Sequence, residues 1–273
     1  MVIKSTNIEL NKQDQIFGEG LYINNDLESL SWVDISRKKI FYACLKKANY
    51  KEYDYPFTPS NIFYFDIYDA IVLDDKGIAK LNWHNKHITR LFEFPRDLIG
   101  EDFRGNDGVM LPNKDFLFGV MHKFNPKKYV GSVWYLTKNK FQKIQENFIP
   151  NSFIPLGDYV LISDSHKKIV YKYSINMNKI VGIWKTFNDN QGEPDGGFSK
   201  DNYCFFAMWG NSRILKFDKN ANYISELYLD VTKPSNCKIF NKNIFITYAL
   251  NANEKNPYDN KDGFGNLIRA SFF

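Results

Sequence analysis

A six-bladed, all-β propeller is the architecture that the patterning of this chain predicts, as one domain over residues 1–273. Three observations carry that expectation. Six segments share one form, an apolar strand, a polar turn and a second apolar strand: Ser31–Ala43, Ala70–Trp83, Asp115–Thr137, Asp158–Ile175, Tyr203–Asp218 and Asn243–Phe272. The centres of their first strands, Val33, Val72, Leu117, Val160, Cys204 and Phe245, lie 39, 45, 43, 44 and 41 residues apart. That period belongs to propeller blades. Aromatic residues make up 17% of the chain, mostly Phe and Tyr, which favours strands. No stretch of helical period and useful length competes with them.

Taken in order, Val2–Leu10 alternates like a strand without a repeat of its own. It is expected to form the outer strand of the last blade, beside Leu267–Phe273, so that no edge is left open. Hairpin turns are expected at Ser36–Lys39, Asp74–Gly77, Ser165–Lys168 and Trp209–Ser212, each polar and set between two apolar runs. A further turn at Asp218–Asn222 joins a third strand to an outer fourth.

Composition narrows the function classes. Hydrophobic residues reach 44%, which argues against disorder. The net charge of +5 is spread along the chain without a basic block, so no nucleic-acid partner is expected. The N-terminal stretch MVIKSTNIELNKQDQ lacks an apolar core, and no segment approaches the roughly 20 apolar residues of a membrane span. Cys44, Cys204 and Cys237 form no CxxC; Cys44 and Cys204, each inside an apolar run, read as core thiols of a reducing compartment. A cytoplasmic protein, monomeric or weakly oligomeric and without membrane association, is the resulting expectation.

In a propeller, residues at matching offsets of different blades approach one another at the mouth of the central channel. Glu19, Asn106, Asn151 and Asp195 stand fourteen, eleven, nine and nine residues before their anchors. Asn61 and Asn236 take the corresponding places before Val72 and Phe245. Two carboxylates with neutral amides suit a hard divalent cation such as Ca²⁺, Mg²⁺ or Mn²⁺. Zn²⁺ is a further option, although it usually recruits His or Cys, which are not placed for it. The same residue types also cap strand ends and fill channels with hydrogen bonds, so spacing alone leaves both readings open.

Local motifs add a resemblance. Gly18-Glu19-Gly20 followed by SLSWVDI is similar to the opening GEGP motif and LYWVDI strand of the gluconolactonase/regucalcin family. Arg104-Gly105-Asn106-Asp107-Gly108 with Gly119-Val120-Met121 resembles its R-x-NDG and G-T-M segment. Asn151 with LISDS at residues 161–165 resembles its NG and DS segment, and Pro194-Asp195-Gly196 with CFFAMWGNSRILKFD resembles its PDG motif. The matches run in order from about residue 17 to the end. The resemblance implies a six-bladed lactonase in which Glu19, Asn151 and Asp195 hold one divalent cation, Ca²⁺ first among the choices. Arg104 and Asn106 would contact the substrate, with Asn106 also near the metal. Asp195 would be the catalytic residue that activates or orients water. The implied activity is hydrolysis of a sugar-type or other lactone, a small-molecule substrate. Related propellers hydrolyse organophosphates, and a propeller that binds a cation or partner without catalysis is the other alternative.

The chain departs from the family pattern at Leu21, where Pro is usual, Ile23, where Trp is usual, and Ser152, where Gly is usual. Phe124 falls where some sugar lactonases carry an acidic contact; with Phe17, Phe103 and Tyr22 it points to a less polar lactone. Other signals lead elsewhere or nowhere. No G-x-S-x-G occurs. Gly18-x-Gly20 and Gly263-x-Gly265 lack the third glycine of a dinucleotide loop. The DNKDG of residues 259–263 reads as a turn, His84 and His87 as a solvated loop, and His166 as exposed. His122 is a candidate substrate contact at the channel mouth.

Overall fold

The computed structural model describes residues 17–46, 49–250 and 267–271. Antiparallel strands succeed one another in six sheets. The first holds β1 (Gly18–Asn24), β2 (Ser29–Asp34), β3 (Lys39–Cys44) and β4 (Asn49–Asp54). The second holds β5 (Pro59–Phe65), β6 (Asp69–Asp74), β7 (Gly77–Asn82) and β8 (Ile88–Glu93). The third, entered after the short helix α1 (Arg96–Ile99), holds β9 (Phe103–Met110), β10 (Phe116–His122), β11 (Gly131–Leu136) and β12 (Phe141–Asn147). The fourth holds β13 (Pro150–Leu156), β14 (Tyr159–Asp164), β15 (Ile169–Ser174) and β16 (Lys179–Thr186). The fifth holds β17 (Glu193–Lys200), β18 (Tyr203–Trp209), β19 (Arg213–Asp218) and β20 (Tyr223–Tyr228). The sixth holds β21 (Lys233–Phe240), β22 (Asn243–Ala249) and β23 (Leu267–Ser271).

The result is an all-β propeller. Its five complete blades have four strands each, and the sixth sheet has three among the described residues. The expected closing strand Val2–Leu10 and the DNKDG turn lie outside the described residues. The innermost strands β1, β5, β9, β13, β17 and β21 touch in succession, and β21 returns to β1. Ser235 Oγ donates to the Gly18 carbonyl at 2.6 Å across that junction.

Side-chain patterning explains the layering. The second strand of each blade is apolar and buried on both faces, as in β2 (SLSWVD) with every residue buried. Outer strands alternate, as in β8 (ITRLFE), because one face meets water. Six apolar clusters fill the spaces between neighbouring sheets, including one between the sixth and the first around Trp32, Phe41 and Phe245. Trp32 is fully buried and stacks on Phe41 at 5.2 Å. Each such ring contributes about 2–3 kcal/mol through burial. Turns after the second strands are held by recurrent aspartates: Asp34, Asp74 and Asp164 each accept backbone N–H groups of the turn that follows.

One expectation is corrected here. Val33, Val72, Leu117, Val160, Cys204 and Phe245 lie on the second strands, not on the innermost ones. Each blade begins a strand earlier, with segments such as GEGLYIN, PNSFIPL and EPDGGFSK. Gly, Pro and Asn suppress strand propensity in these segments, so they read as loops in sequence.

Candidate functional site

The residues expected in loops at the channel mouth therefore lie on the innermost strands themselves. Each sits where the pairing of that strand with its neighbour slips. The register shifts between Glu19 and Tyr22, between Asn151 and Ile154, and between Pro194 and Gly197. In β9 the shift falls between Gly105 and Gly108, around Asn106 and Asp107. A bulge leaves residues unpaired and re-aims their side chains. Repeated around the ring, it turns one polar residue per blade toward the channel.

Backbone chemistry permits each bulge locally. Gly20 has φ +59°, and a Cβ there would come within 2.6 Å of Asn61 Cα, so only glycine fits. At the equivalent place in the fourth blade stand Ser152 and Phe153, at φ +76° and +41°. This is the position where Ser replaces the usual Gly. Ser152 offsets the strain with its hydroxyl, which donates to the Asp195 carbonyl at 2.5 Å and lies 3.0 Å from Ser163 Oγ. It thus ties the strand carrying Asn151 to the strand carrying Asp195.

The structure brings Glu19, Asn106, Asn151, Asp195 and Arg104 to one pocket of about 280 Å³. Asn106 Nδ2 donates to Asn151 Oδ1 at 2.9 Å and to the Pro150 carbonyl at 3.1 Å, while its Oδ1 accepts from Arg104 Nη1 at 3.0 Å. Asn151 Nδ2 donates to Ser165 Oγ at 3.1 Å. The amides are therefore pinned. The carboxylates are not: Asp195 Oδ1 is buried without a hydrogen-bond partner, and Glu19 Oε2 accepts only a 3.3 Å contact from the Gly20 N–H among its hydrogen bonds in the described residues.

Electrostatics sharpen that contrast. Burial, then the charges of Asp195 and Asp107, push the Glu19 carboxyl well above its usual range. Burial, then Asp107 and Glu193, do the same to Asp195. Arg104 opposes both but is itself pushed down by burial. Buried like charges with an orphaned oxygen are the surroundings that a bound cation relieves. Oxygen donors from two carboxylates and Asn151, whose amide oxygen keeps a second lone pair, fit a hard divalent ion. Among the described residues no group of three or more His, Cys, Asp or Glu could hold a metal; here two carboxylates stand with neutral amides.

Several expected neighbours lie elsewhere. Asn61 and Asn236 line the cavity at the other end of the channel; Ser60 and Ser235, just before them, are skipped where the register of each strand shifts. Both serines are buried and bonded, Ser60 to the Leu73 carbonyl and Ser235 to that of Gly18. Phe124 is 72% exposed and does not line the pocket. Phe103 packs edge-on against His122, and Tyr22 lines a cavity at the other end of the channel. His122 is buried and lies outside the pocket lining. Its Nδ1 accepts the backbone N–H groups of Phe124 and Asn125, and its ring stacks on Tyr129 at 4.4 Å. It therefore braces a loop. His84 sits exposed beside Tyr68, and His166 rests on Phe148. Cys204 is buried as expected and so is Cys237, their thiols pushed up to about 12 by burial, whereas Cys44, at the end of its strand, is only half-buried.

Of the expected aromatic residues only Phe17 lines the pocket, tilted against Trp209 at 5.4 Å. Met121, Ile149 and Pro126 complete that wall, and Lys127 pairs with Glu193 at the rim. Met121 belongs to the Gly119-Val120-Met121 motif, whereas Ile149, Pro126 and Lys127 carry no sequence signal.

The fold and cradle define a class: a β-propeller with an oxygen-rich, carboxylate-bearing site at one end of its channel. The chain belongs to the SMP-30/gluconolactonase/LRE-like family, whose model matches residues 17–249. Among solved structures it is similar to the calcium-binding protein regucalcin of Agrobacterium tumefaciens, at 17% identity and TM-score 0.86, over 100% of this chain and 95% of that one. It is also similar to a luciferin-regenerating enzyme (19% identity, TM-score 0.83, 98% and 96% covered). A gluconolactonase of Xanthomonas campestris matches at 13% identity and TM-score 0.71, over 91% and 92%. No curated protein matches the sequence significantly. Among the described residues no helix is long and apolar enough to cross a membrane.

Proposed function

We propose that this chain is a divalent-cation-dependent lactone hydrolase, built as a single six-bladed ring with the three-stranded sheet as the sixth blade. The single observation that carries the reading is the buried, unpartnered Oδ1 of Asp195 beside Glu19 and the pinned Asn151. Family membership supports a lactonase-like propeller, and the calcium-binding neighbour favours Ca²⁺ over Mg²⁺, Mn²⁺ or Zn²⁺.

Glu19, Asn151 and Asp195 would hold the ion through oxygen. When bound, the ion would polarise the lactone carbonyl and lower the pKa of water. Asp195 orients the attacking water by accepting a hydrogen bond from it. Water adds to the acyl carbon, the ring C–O bond breaks, and the products are a carboxylic acid and a hydroxyl on one open chain. Arg104, held by Asn106 and the Gly105 carbonyl at 2.7 Å, is set to bind the acyl or hydroxyl oxygen of the substrate. Asn106 positions both Arg104 and Asn151; its three hydrogen bonds occupy its amide, so its contact with substrate is secondary.

The test is metal analysis of the purified protein, followed by acid release from a lactone panel with and without chelator. Chelator-sensitive, Ca²⁺-restored acid release supports the reading. Stoichiometric cation with no turnover of any lactone would leave a binding propeller, and turnover of a phosphotriester alone would move the chemistry to another bond.

A further inference from the structure

We infer that the pocket selects lactones with an aryl or alkyl flank over polyhydroxylated sugar lactones, with Phe17 and Trp209 as the specificity-determining pair. The inference rests on the lactonase reading of the same pocket and concerns its apolar lining. That lining consists of Phe17 and Trp209, tilted together at 39°, with Met121, Ile149 and Pro126. It arises from four separate places in the chain, so no single motif announces it. The Lys233 ammonium lies over the Trp209 ring, 5.6 Å from its centre.

The polar floor has little left to offer a polyol. Both amides are engaged with each other, with Arg104, and with Ser165 and Pro150. Ser165 Oγ is itself committed to the Pro194 carbonyl at 2.6 Å. At the rim, Lys127 and Glu193 neutralise each other, and Lys123 Nζ donates to the Glu101 carbonyl at 2.8 Å. Glu19, Asp195 and Arg104 suffice for one ester group, an ion and a water. The ring hydroxyls of a sugar lactone would meet Met121, Ile149 and Pro126 without partners, and each hydroxyl buried there unpaired loses its hydrogen bonds to water without replacement. At about 280 Å³ the cavity accommodates a fused bicyclic or short-chain lactone.

The experiment compares kcat/KM for dihydrocoumarin, δ-decalactone and glucono-δ-lactone in saturating Ca²⁺, with Trp209→Ala and Phe17→Ala alongside. The expected result is a preference of about tenfold or more for the two apolar lactones, reduced at least about tenfold in Trp209→Ala. Preference for glucono-δ-lactone, or an unchanged preference in both variants, overturns the inference while leaving the lactonase reading intact. If no lactone is turned over, the lactonase reading falls, and calorimetric titration with the unreactive aryl lactam 3,4-dihydro-2-quinolinone decides the wall by itself. Binding that Trp209→Ala abolishes keeps the assignment of the wall; no binding, or tighter binding of gluconolactam, removes it.

Discussion

The two halves of the channel are built by the same backbone device and end with opposite chemistry. Each bulge presents two successive residues. In the third and fourth blades the first, Asn106 or Asn151, lines the pocket with Glu19 and Asp195, and the second, Asp107 or Ser152, lines a cavity at the other end with Asn61 and Asn236. The cavities are of similar volume, about 280 and 310 Å³, so size does not separate them. Charge does. The first layer sets two carboxylates against one guanidinium. The second sets the Asp107 carboxylate against the Lys238 ammonium, which donates to the Gly197 carbonyl at 2.6 Å. Asn61 and Asn236 are bonded there to backbone, at the Gly108 carbonyl and the Cys237 N–H. A layer with a net negative charge calls for a cation; a neutral layer does not.

The largest effect that this contrast predicts comes from removing the excess charge. Asp195→Ala or Glu19→Ala is expected to abolish stoichiometric Ca²⁺ binding and to lower lactone turnover at least about 10³-fold, with the β circular-dichroism signature kept. Titration calorimetry showing full-strength binding in either variant would refute the cradle.

Next comes the buried charge of the second layer. Burial pushes the Asp107 carboxyl up to about 7, with Lys238 and the Gly108 N–H opposing. Its unfolded value is near ~3.9. A carboxyl raised in the folded state favours folding below the unfolded pKa, and that contribution is lost as pH rises through the folded one. Chelated protein should therefore lose stability between about pH 4 and 8. Asp107→Asn should flatten that slope while leaving the buried Lys238 ammonium without its balancing carboxylate. Denaturant midpoints across pH check this, and a parallel wild-type slope in the variant would sink it.

A smaller effect is expected at the hinge between the layers. Ser152→Ala keeps the left-handed backbone but loses the bond to the Asp195 carbonyl, costing about 1–2 kcal/mol. Ser152→Gly relieves the strain while losing the same bond, so urea melts should place it between wild type and Ser152→Ala. The smallest is Phe124→Ala. Exposed and outside the pocket, it should change stability by less than about 0.5 kcal/mol and leave lactone selectivity as it was. A shift in selectivity would return Phe124 to the site.

Much of the fold was legible in the chain. The second and third strands of each blade carry continuous apolar runs with polar turns, and their spacing revealed six repeats. The candidate site residues were legible as residues through the resemblance of the Gly-Glu-Gly, Asn-Asp-Gly and Pro-Asp-Gly strings to a family pattern, while their offsets drift from fourteen to nine. Their placement on strands was not. A strand that lines a polar channel is made of the residues that periodicity treats as turn formers, so PSNIFYF and KPSNCKIF conceal strand identity behind Pro, Ser and Asn. The offset count also merged Asn61 and Asn236 with Glu19, since one residue of slip changes the channel layer without changing the composition.

The pattern of apolar runs thus dictated a closed ring of small sheets, because alternating burial and a fixed repeat length are local properties of a chain. Which polar side chain meets which, and the apolar wall of Phe17, Trp209, Met121, Ile149 and Pro126, came only with assembly. Those contacts join blades distant in sequence, and a one-residue bulge sets the direction of each side chain, a displacement too small to leave a mark on composition or spacing.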